Sequence, residues 1–293
     1  MVTKNNKTGI KRGGEAQSKG ANTLNRLKKI RSDMAMELLD FEGFGTYRPS
    51  PDPYEVKRSE IIVDKKLSKK IGKAEGTYIT LESGAMSARI GEGYEPLRMA
   101  ICDAIKKLAP RAENVLVVCL GNPNLTADAL GSRVFENLKI TRSLPEEIKP
   151  QIILSALCPN VFGATGIESF DIIKGVVERI SPQLIIAVDS LASAAVGRIA
   201  SAFQLCSSGI TPGSGVANHR IRLDKSSLGA DVVSIGVPLV VYASTIIAEA
   251  AGEKALKNAG EDIMNLIVTP KDIDVLVENC AEVIAAGINR AFG

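Results

Sequence analysis

Residues 168–189 read ESFDIIKGVVERISPQLIIAVD, and this stretch decides the fold class. Its first half places apolar residues at helical spacing, which predicts an amphipathic helix over Glu168–Ile180. Its second half, Gln183–Val188, is a continuous apolar run that leads into Asp189, which is typical of a strand buried on both faces of a sheet. A helix followed directly by such a strand indicates an α/β protein whose sheet is covered by helices.

The same alternation continues on both sides of this stretch. Further buried strands are predicted at Asn114–Leu120, Gln151–Leu157 and Asp231–Val237, with short strands at Ile61–Val63 and Tyr78–Leu81. Helices are predicted at Glu95–Leu108, at Ala127–Leu138, at Ser193–Phe203, from about Val240, and after Thr269-Pro270. We therefore expect a mostly parallel sheet with helices on both faces.

The positive charge of the chain is concentrated at its start. Residues 1–33 contain nine Lys or Arg against Glu15 and Asp33, a balance of +7, while the remaining 27 basic and 31 acidic residues give −4. This segment is polar and aperiodic, so we predict a disordered basic leader over 1–33 and a single α/β domain over 34–293. A basic arm could also bind nucleic acid, and that alternative stays open.

Composition excludes several classes of chemistry. No apolar run reaches the roughly 18 residues that a membrane span needs, and no signal-type segment is visible, so we expect a cytoplasmic protein without a membrane role. Five dispersed cysteines without a CxxC pair are typical of buried, reduced thiols. The single histidine, His219, excludes a His-rich zinc site, and no GxSxG elbow is present. We expect neither a metal nor a cofactor.

Two carboxylates follow predicted strands at the edge where α/β sheets carry their sites. Asp128 lies beyond the first long buried strand and Asp189 at the end of the third. Partly desolvated carboxyl groups that lie close together can share one proton, which makes one a base and the other an acid. Such a pair can activate water for peptide hydrolysis. The alternative interpretation is that Asp128 is an N-cap or an acidic first-turn residue beside the helix dipole, and that Asp189 caps the helix that follows it.

A glycine-rich loop is the other candidate binding element. Residues 209–218 read GITPGSGVAN, and the backbone amides of Gly213, Ser214 and Gly215 could bind an oxyanion or an extended peptide. A simple tight turn would account for the same composition.

Several long motifs together resemble the spore germination protease family. They are GTYITLE (76–82), GNPNLTADALG (121–131), GIESFDIIKGVVERISPQLIIAVDSLAS (166–193), GITPGSGVANHR (209–220), LGADVVSIGVP (228–238) and TPKDID (269–274). The resemblance implies an aspartic-type endopeptidase with a fold similar to that of hydrogenase maturation proteases. By motif, its catalytic aspartates correspond to Asp128 and Asp189.

The resemblance also implies a biological role. Members of this family are homotetramers that degrade small acid-soluble DNA-binding proteins in the spore core at germination, and they are made in the forespore as self-processing zymogens. They cut between an acidic residue and an apolar one that is followed by Ala, a pattern that Ser32–Glu37 (SDMAME) matches. We therefore predict cleavage between Asp33 and Met34, with no direct nucleic-acid role. A metal-dependent maturation protease on the same fold and a non-enzymatic nucleic-acid-binding protein remain alternatives.

Overall fold

A computed structural model describes residues 31–39, 52, 54–88, 91–212 and 221–293. The strands are β1 (Lys57–Val63), β2 (Gly76–Glu82), β3 (Asn114–Cys119), β4 (Ile153–Leu157), β5 (Leu184–Ser193), β6 (Ala202–Cys206), β7 (Asp231–Tyr242) and β8 (Ile267–Val268). The α-helices are α1 (Lys65–Ile71), α2 (Ala85–Ala88), α3 (Tyr94–Leu108), α4 (Leu130–Glu136), α5 (Phe162–Thr165), α6 (Ser169–Ile180), α7 (Lys225–Leu228), α8 (Ala243–Ala251), α9 (Glu261–Met264) and α10 (Ile273–Phe292). Short 3₁₀ turns lie at Met36–Leu38, Gly91–Gly93, Thr126–Asp128, Glu146–Ile148, Val196–Arg198 and Glu253–Lys257.

The strands form one eight-stranded sheet in the order β1-β2-β6-β7-β5-β3-β4, with β8 paired to β7. Strands β4, β3, β5 and β7 are parallel neighbours, and β6 joins them to β2 through two antiparallel pairings. Five of these eight strands therefore run in one direction, while β1, β6 and β8 oppose them. The predicted mostly parallel α/β sheet is confirmed.

Alternate residues of the central strands pack into two separate layers. In β3, Val115 and Val117 join the core under α3, α4 and α10, whereas Leu116 and Val118 join the core under α6. Because successive side chains of a strand point to opposite faces, a fully apolar run is what a sheet covered on both sides requires. The predicted buried strands are confirmed for this reason.

One predicted helix is absent, and another begins later than predicted. The helix predicted over Ser193–Phe203 is wrong, since β5 continues to Ser193 and a 3₁₀ turn leads into β6. The helix predicted from Val240 begins only at Ala243, because β7 continues through Pro238. Proline is tolerated in a sheet at irregular pairing, and the register of β5 against β7 shifts where Leu191 faces Pro238.

The start of the described chain lies on this domain. Residues 31–39 include Met34 and Ala35, which are fully buried. Residues 1–30 of the predicted leader lie outside the described residues, so its disorder stays a prediction. Among the described helices, none combines the length and the apolar character needed to cross a membrane.

Candidate active site

A cavity of about 590 Å³ lies beyond the carboxyl end of β3, beside the part of β5 that continues past its pairing with β3. Asp128, Asp189 and Asp33 all line it. The structure therefore brings the two predicted catalytic aspartates and the predicted cleavage site into one cavity. The strand-end rule for α/β sheets accounts for Asp128, which follows β3, and Asp189 lies at the same level of the sheet, one residue past the last pairing of β5 with β3.

Asp128 is held by the loop that follows β3. Its Oδ2 accepts a hydrogen bond of 2.9 Å from the backbone amide of Asn122. Gly121 adopts φ +111°, and a Cβ there would lie 2.1 Å from the main-chain oxygen of Asp128. Only glycine allows both this backbone conformation and this close approach, so the loop can close back on Asp128. Asp128 is partly buried.

Asp189 lies inside β5 and is 7% exposed. Its Oδ1 accepts a hydrogen bond of 3.0 Å from the backbone amide of Ser190. Ser190 also lines the cavity, and its hydroxyl is buried without a hydrogen-bond partner in the part of the chain that the structure describes.

Neither aspartate caps a helix. The residue that precedes α4 is Ala129, without a side-chain cap, and Asp189 is followed by further strand residues. The capping interpretation of these two residues is therefore wrong, while the interpretation of Asp128 as an acidic residue beside the helix dipole stays a prediction, since Asp128 lies in the 3₁₀ turn directly before Ala129.

The segment around Asp33 pairs with the last part of β5. The Asp33 amide donates to the Ala192 carbonyl over 2.9 Å, and the Ala192 amide donates to Oδ2 of Asp33, also over 2.9 Å. Val188 is the last residue of β5 that pairs with β3. The part of β5 after Val188 is therefore free of β3 on that side and can pair with the segment around Asp33. Asp33 is consequently bound through both its backbone and its carboxylate.

Two side chains contact the carbonyl oxygen of Asp33. Lys73 Nζ donates to this oxygen over 2.8 Å, and Gln204 Nε2 lies 3.4 Å from it. Gln204 Oε1 accepts a hydrogen bond of 2.6 Å from the Ala35 amide. Gln204 thus contacts the chain on both sides of the peptide bond between Asp33 and Met34.

Apolar packing fixes the residues that follow this bond. Met34 packs with Leu191 and Ala202, while Ala35 belongs to a cluster that includes Tyr78. Both residues have 0% exposure. Burial of a methionine side chain is worth about 1.5–3 kcal/mol, so these contacts favour the bound position of the segment.

Glu37 supplies a buried ionic anchor. Its side chain is 1% exposed and lies 2.9 Å from Arg198, which also contacts Glu82 at 3.2 Å. The Ser193 hydroxyl and the Ala194 amide each donate to the Glu37 carboxylate over 2.7 Å. Burial acts to lower the pKa of Arg198, but the two adjacent carboxylates outweigh it, so that its pKa lies above the ordinary value.

The predictions for the glycine-rich loop and for His219 are not tested by the structure. Gly213, Ser214, Gly215 and His219 lie outside the described residues, so their roles stay predictions. Across the described ranges, no group of three or more His, Cys, Asp or Glu side chains is close enough to hold a metal ion.

The sequence did not predict the roles of the four residues that hold the segment, which are Glu37, Lys73, Arg198 and Gln204. Gln204 carried a signal, because it is a polar residue in the apolar run AFQLC. Glu37 belonged to the predicted cleavage motif, but no pattern linked it to Arg198. Lys73 is one of five lysines within Lys65–Lys73, and nothing in their spacing distinguishes it.

An α/β fold that places two carboxylates and a bound segment of extended chain in one cavity defines a candidate peptide hydrolase. Comparison with known proteins agrees with this class. The family model described as "Germination protease" matches residues 36–265. The chain belongs to the germination protease family and is therefore a peptidase of that family.

Curated relatives match along most of their length. The germination protease of Caldanaerobacter subterraneus subsp. tengcongensis is 36% identical, over 90% of this chain and 94% of the relative. The germination protease of Clostridium acetobutylicum is 32% identical, over 91% of this chain and 96% of the relative. A solved [NiFe] hydrogenase maturation protease, HycI from Thermococcus kodakarensis KOD1, is similar with a TM-score of 0.36 and 20% identity, covering 64% of this chain and 99% of that one.

Proposed function

We propose that this chain is the zymogen of an aspartic-type endopeptidase that removes its own leader by cutting between Asp33 and Met34. One observation carries the proposal: the carbonyl of Asp33 is held at a cavity that Asp128 and Asp189 both line. A peptide bond bound beside two acidic groups is the arrangement that water-mediated hydrolysis needs.

In the proposed mechanism, Asp128 and Asp189 share one proton. The ionised carboxylate takes a proton from a water molecule, whose oxygen adds to the carbonyl carbon of Asp33. The protonated carboxyl then gives its proton to the nitrogen of Met34, and the C–N bond breaks. The products are a carboxyl group on Asp33 and an amino group on Met34, and the pair again holds one proton.

The bound segment supports recognition of an acidic residue before the cut. The carboxylate of Asp33 accepts the amide hydrogen of Ala192, so an acidic side chain at this position gains a charge-assisted hydrogen bond. Pairing of the segment with the end of β5 is a form of strand addition, which binds the backbone of an extended peptide.

The proposed substrates are the small acid-soluble DNA-binding proteins of spores, degraded at germination. This part rests on family membership. By the same reasoning, we propose that the enzyme is a homotetramer of the forespore and spore core. Removal of residues 1–33 would change the formal charge of the chain from +3 to −4, since that segment carries +7.

The test uses three matched Asp→Asn substitutions. D128N and D189N should fold but fail to shorten themselves and fail to cut a peptide spanning residues 31–39. D103N is the control, because Asp103 is exposed on α3. Circular dichroism checks folding, and intact-mass spectrometry follows processing.

Self-processing of D128N or D189N at the wild-type rate would remove that aspartate from the mechanism. Loss of wild-type processing on exhaustive chelation would instead favour a metal-dependent protease.

A further inference from the structure

Lys73 lies immediately after α1, and its ammonium group reaches into the cavity. Gly72 ends the helix in the left-handed conformation, with φ 71°, and turns the chain toward β2. Lys73 Nζ donates to the carbonyl oxygens of Asp33, over 2.8 Å, and of Ser32, over 3.4 Å. The shorter bond is to the carbonyl group that the proposed reaction attacks.

The charges around Lys73 are mixed. Burial lowers the pKa of Lys73; the carboxylates of Asp33 and Glu37 and the thiol of Cys206 oppose this effect, and the cation of Arg222 adds to it. An ammonium group in such a partly desolvated place interacts strongly with any new negative charge nearby.

We propose that Lys73 is a catalytic residue whose ammonium group stabilises the oxyanion formed on the carbonyl that is cut. The proposal rests on the proposed endopeptidase function. The distance of 2.8 Å is measured to the carbonyl oxygen of the intact peptide bond, so the ammonium group is already in hydrogen-bond contact with the oxygen on which the negative charge would form.

The role of Lys73 as a fixed positive charge agrees with the movement of electrons and protons in the reaction. When the water oxygen adds to the carbonyl carbon, the electron pair of the C=O bond moves onto the oxygen, which becomes negative beside Lys73. When the C–N bond breaks, that pair returns to re-form C=O, and the nitrogen of Met34 leaves with the proton given by the aspartate pair. Lys73 keeps its three protons throughout, so it acts as a fixed positive charge.

A purely structural clamp is the competing account. A clamp for the aspartate side chain would place the ammonium against the carboxylate. In the structure, Lys73 donates to the main-chain carbonyl oxygens of Ser32 and Asp33, while the Asp33 carboxylate accepts the Ala192 amide hydrogen. A clamp would affect binding of the segment, whereas an oxyanion donor affects the chemical step.

The experiment measures the self-processing rate of the full chain carrying K73M. Methionine keeps the length of the stem but carries no charge. The control is K70M, since Lys70 is exposed on the last turn of α1. We expect K73M to process about 100- to 1,000-fold more slowly, the usual effect of removing one oxyanion donor, and K70M to match wild type. Cleavage of the 31–39 peptide in trans should show most of the loss in kcat, with a smaller rise in KM because the two ground-state hydrogen bonds are also removed.

K73R gives an independent measurement if K73M loses stability. Its guanidinium keeps the positive charge, so K73R should process itself faster than K73M when both rates are referred to the folded fraction. Wild-type rates in K73M, a loss confined to KM, or a rate of K73R no higher than that of K73M would each overturn the proposal. If D128N and D189N are inactive in the same assay, these results leave the endopeptidase function intact. Wild-type processing by D128N and D189N would instead remove the proposed function, and the role of Lys73 with it.

Discussion

Replacement of Glu37 by Gln should release the segment around the predicted cleavage site. The Glu37 carboxylate accepts hydrogen bonds from Ser193 and Ala194 and pairs with Arg198 at 2.9 Å. The Glu37 side chain is 1% exposed. Glutamine keeps the shape of the side chain but removes its charge. After the substitution, Glu82 is the remaining carboxylate of the Glu37–Arg198–Glu82 cluster that pairs with the buried guanidinium of Arg198.

The size of the effect follows from the burial of this ion pair. Removal of one partner of a buried pair costs about 3–5 kcal/mol, and the continued contact of Arg198 with Glu82 places E37Q near the lower end. A cost of about 3 kcal/mol reduces the ratio of bound to released segment by about 150-fold. The matched control is E136Q, because the pair of Glu136 with Arg133 has a similar distance of 3.0 Å but is exposed at the surface.

Hydrogen exchange measures this ratio directly. The Ala35 amide is bonded to Gln204, and the Ala194 amide is bonded to Glu37, so both exchange only when the segment opens. We expect their protection factors to fall by about 150-fold in E37Q and to stay unchanged in E136Q. A fall of less than about tenfold in E37Q would refute the view that Glu37 anchors the segment.

Three further predictions concern the scaffold. G131A should lower the melting temperature by at least about 2 °C, because a Cβ there would lie 2.1 Å from the carbonyl oxygen of Leu120; an unchanged melting temperature would contradict this close packing. G175A should raise it by about 1 to 4 °C, since Gly175 is an exposed helix position with nothing within 4 Å of the added Cβ, and a decrease would count against that geometry. Burial raises the pKa of the Cys119 and Cys280 thiols, so peptide mapping should find them unreactive toward iodoacetamide at pH 8 until the protein unfolds.

The parallel half of the fold could be predicted because its strands are continuous apolar runs. Every residue of Val115–Cys119 in β3 and of Leu184–Val188 in β5 is buried, so composition alone indicates burial on both faces. The region from Ser193 to Phe203 could not be predicted in the same way. Its small residues show no clear period, and its conformation depends on pairing with β7, which lies some 40 residues further along the chain.

The site likewise contains residues that the sequence predicts and residues that it does not. Asp128 and Asp189 could be located because strand ends in α/β sheets carry functional residues. Lys73 and Arg198 could not, because their roles arise only when the segment at Asp33 lies against β5 and β6. That placement depends on tertiary packing, which no local spacing records.

The most direct test of the account is the rate at which the full-length chain shortens itself over a hundredfold range of protein concentration, with the new N-terminus sequenced. Because the bond lies at the cavity of its own chain, the account predicts a first-order rate constant that does not change with dilution and a mature chain that begins at Met34. A rate constant that falls in proportion to concentration, or an N-terminus at another residue, would contradict it.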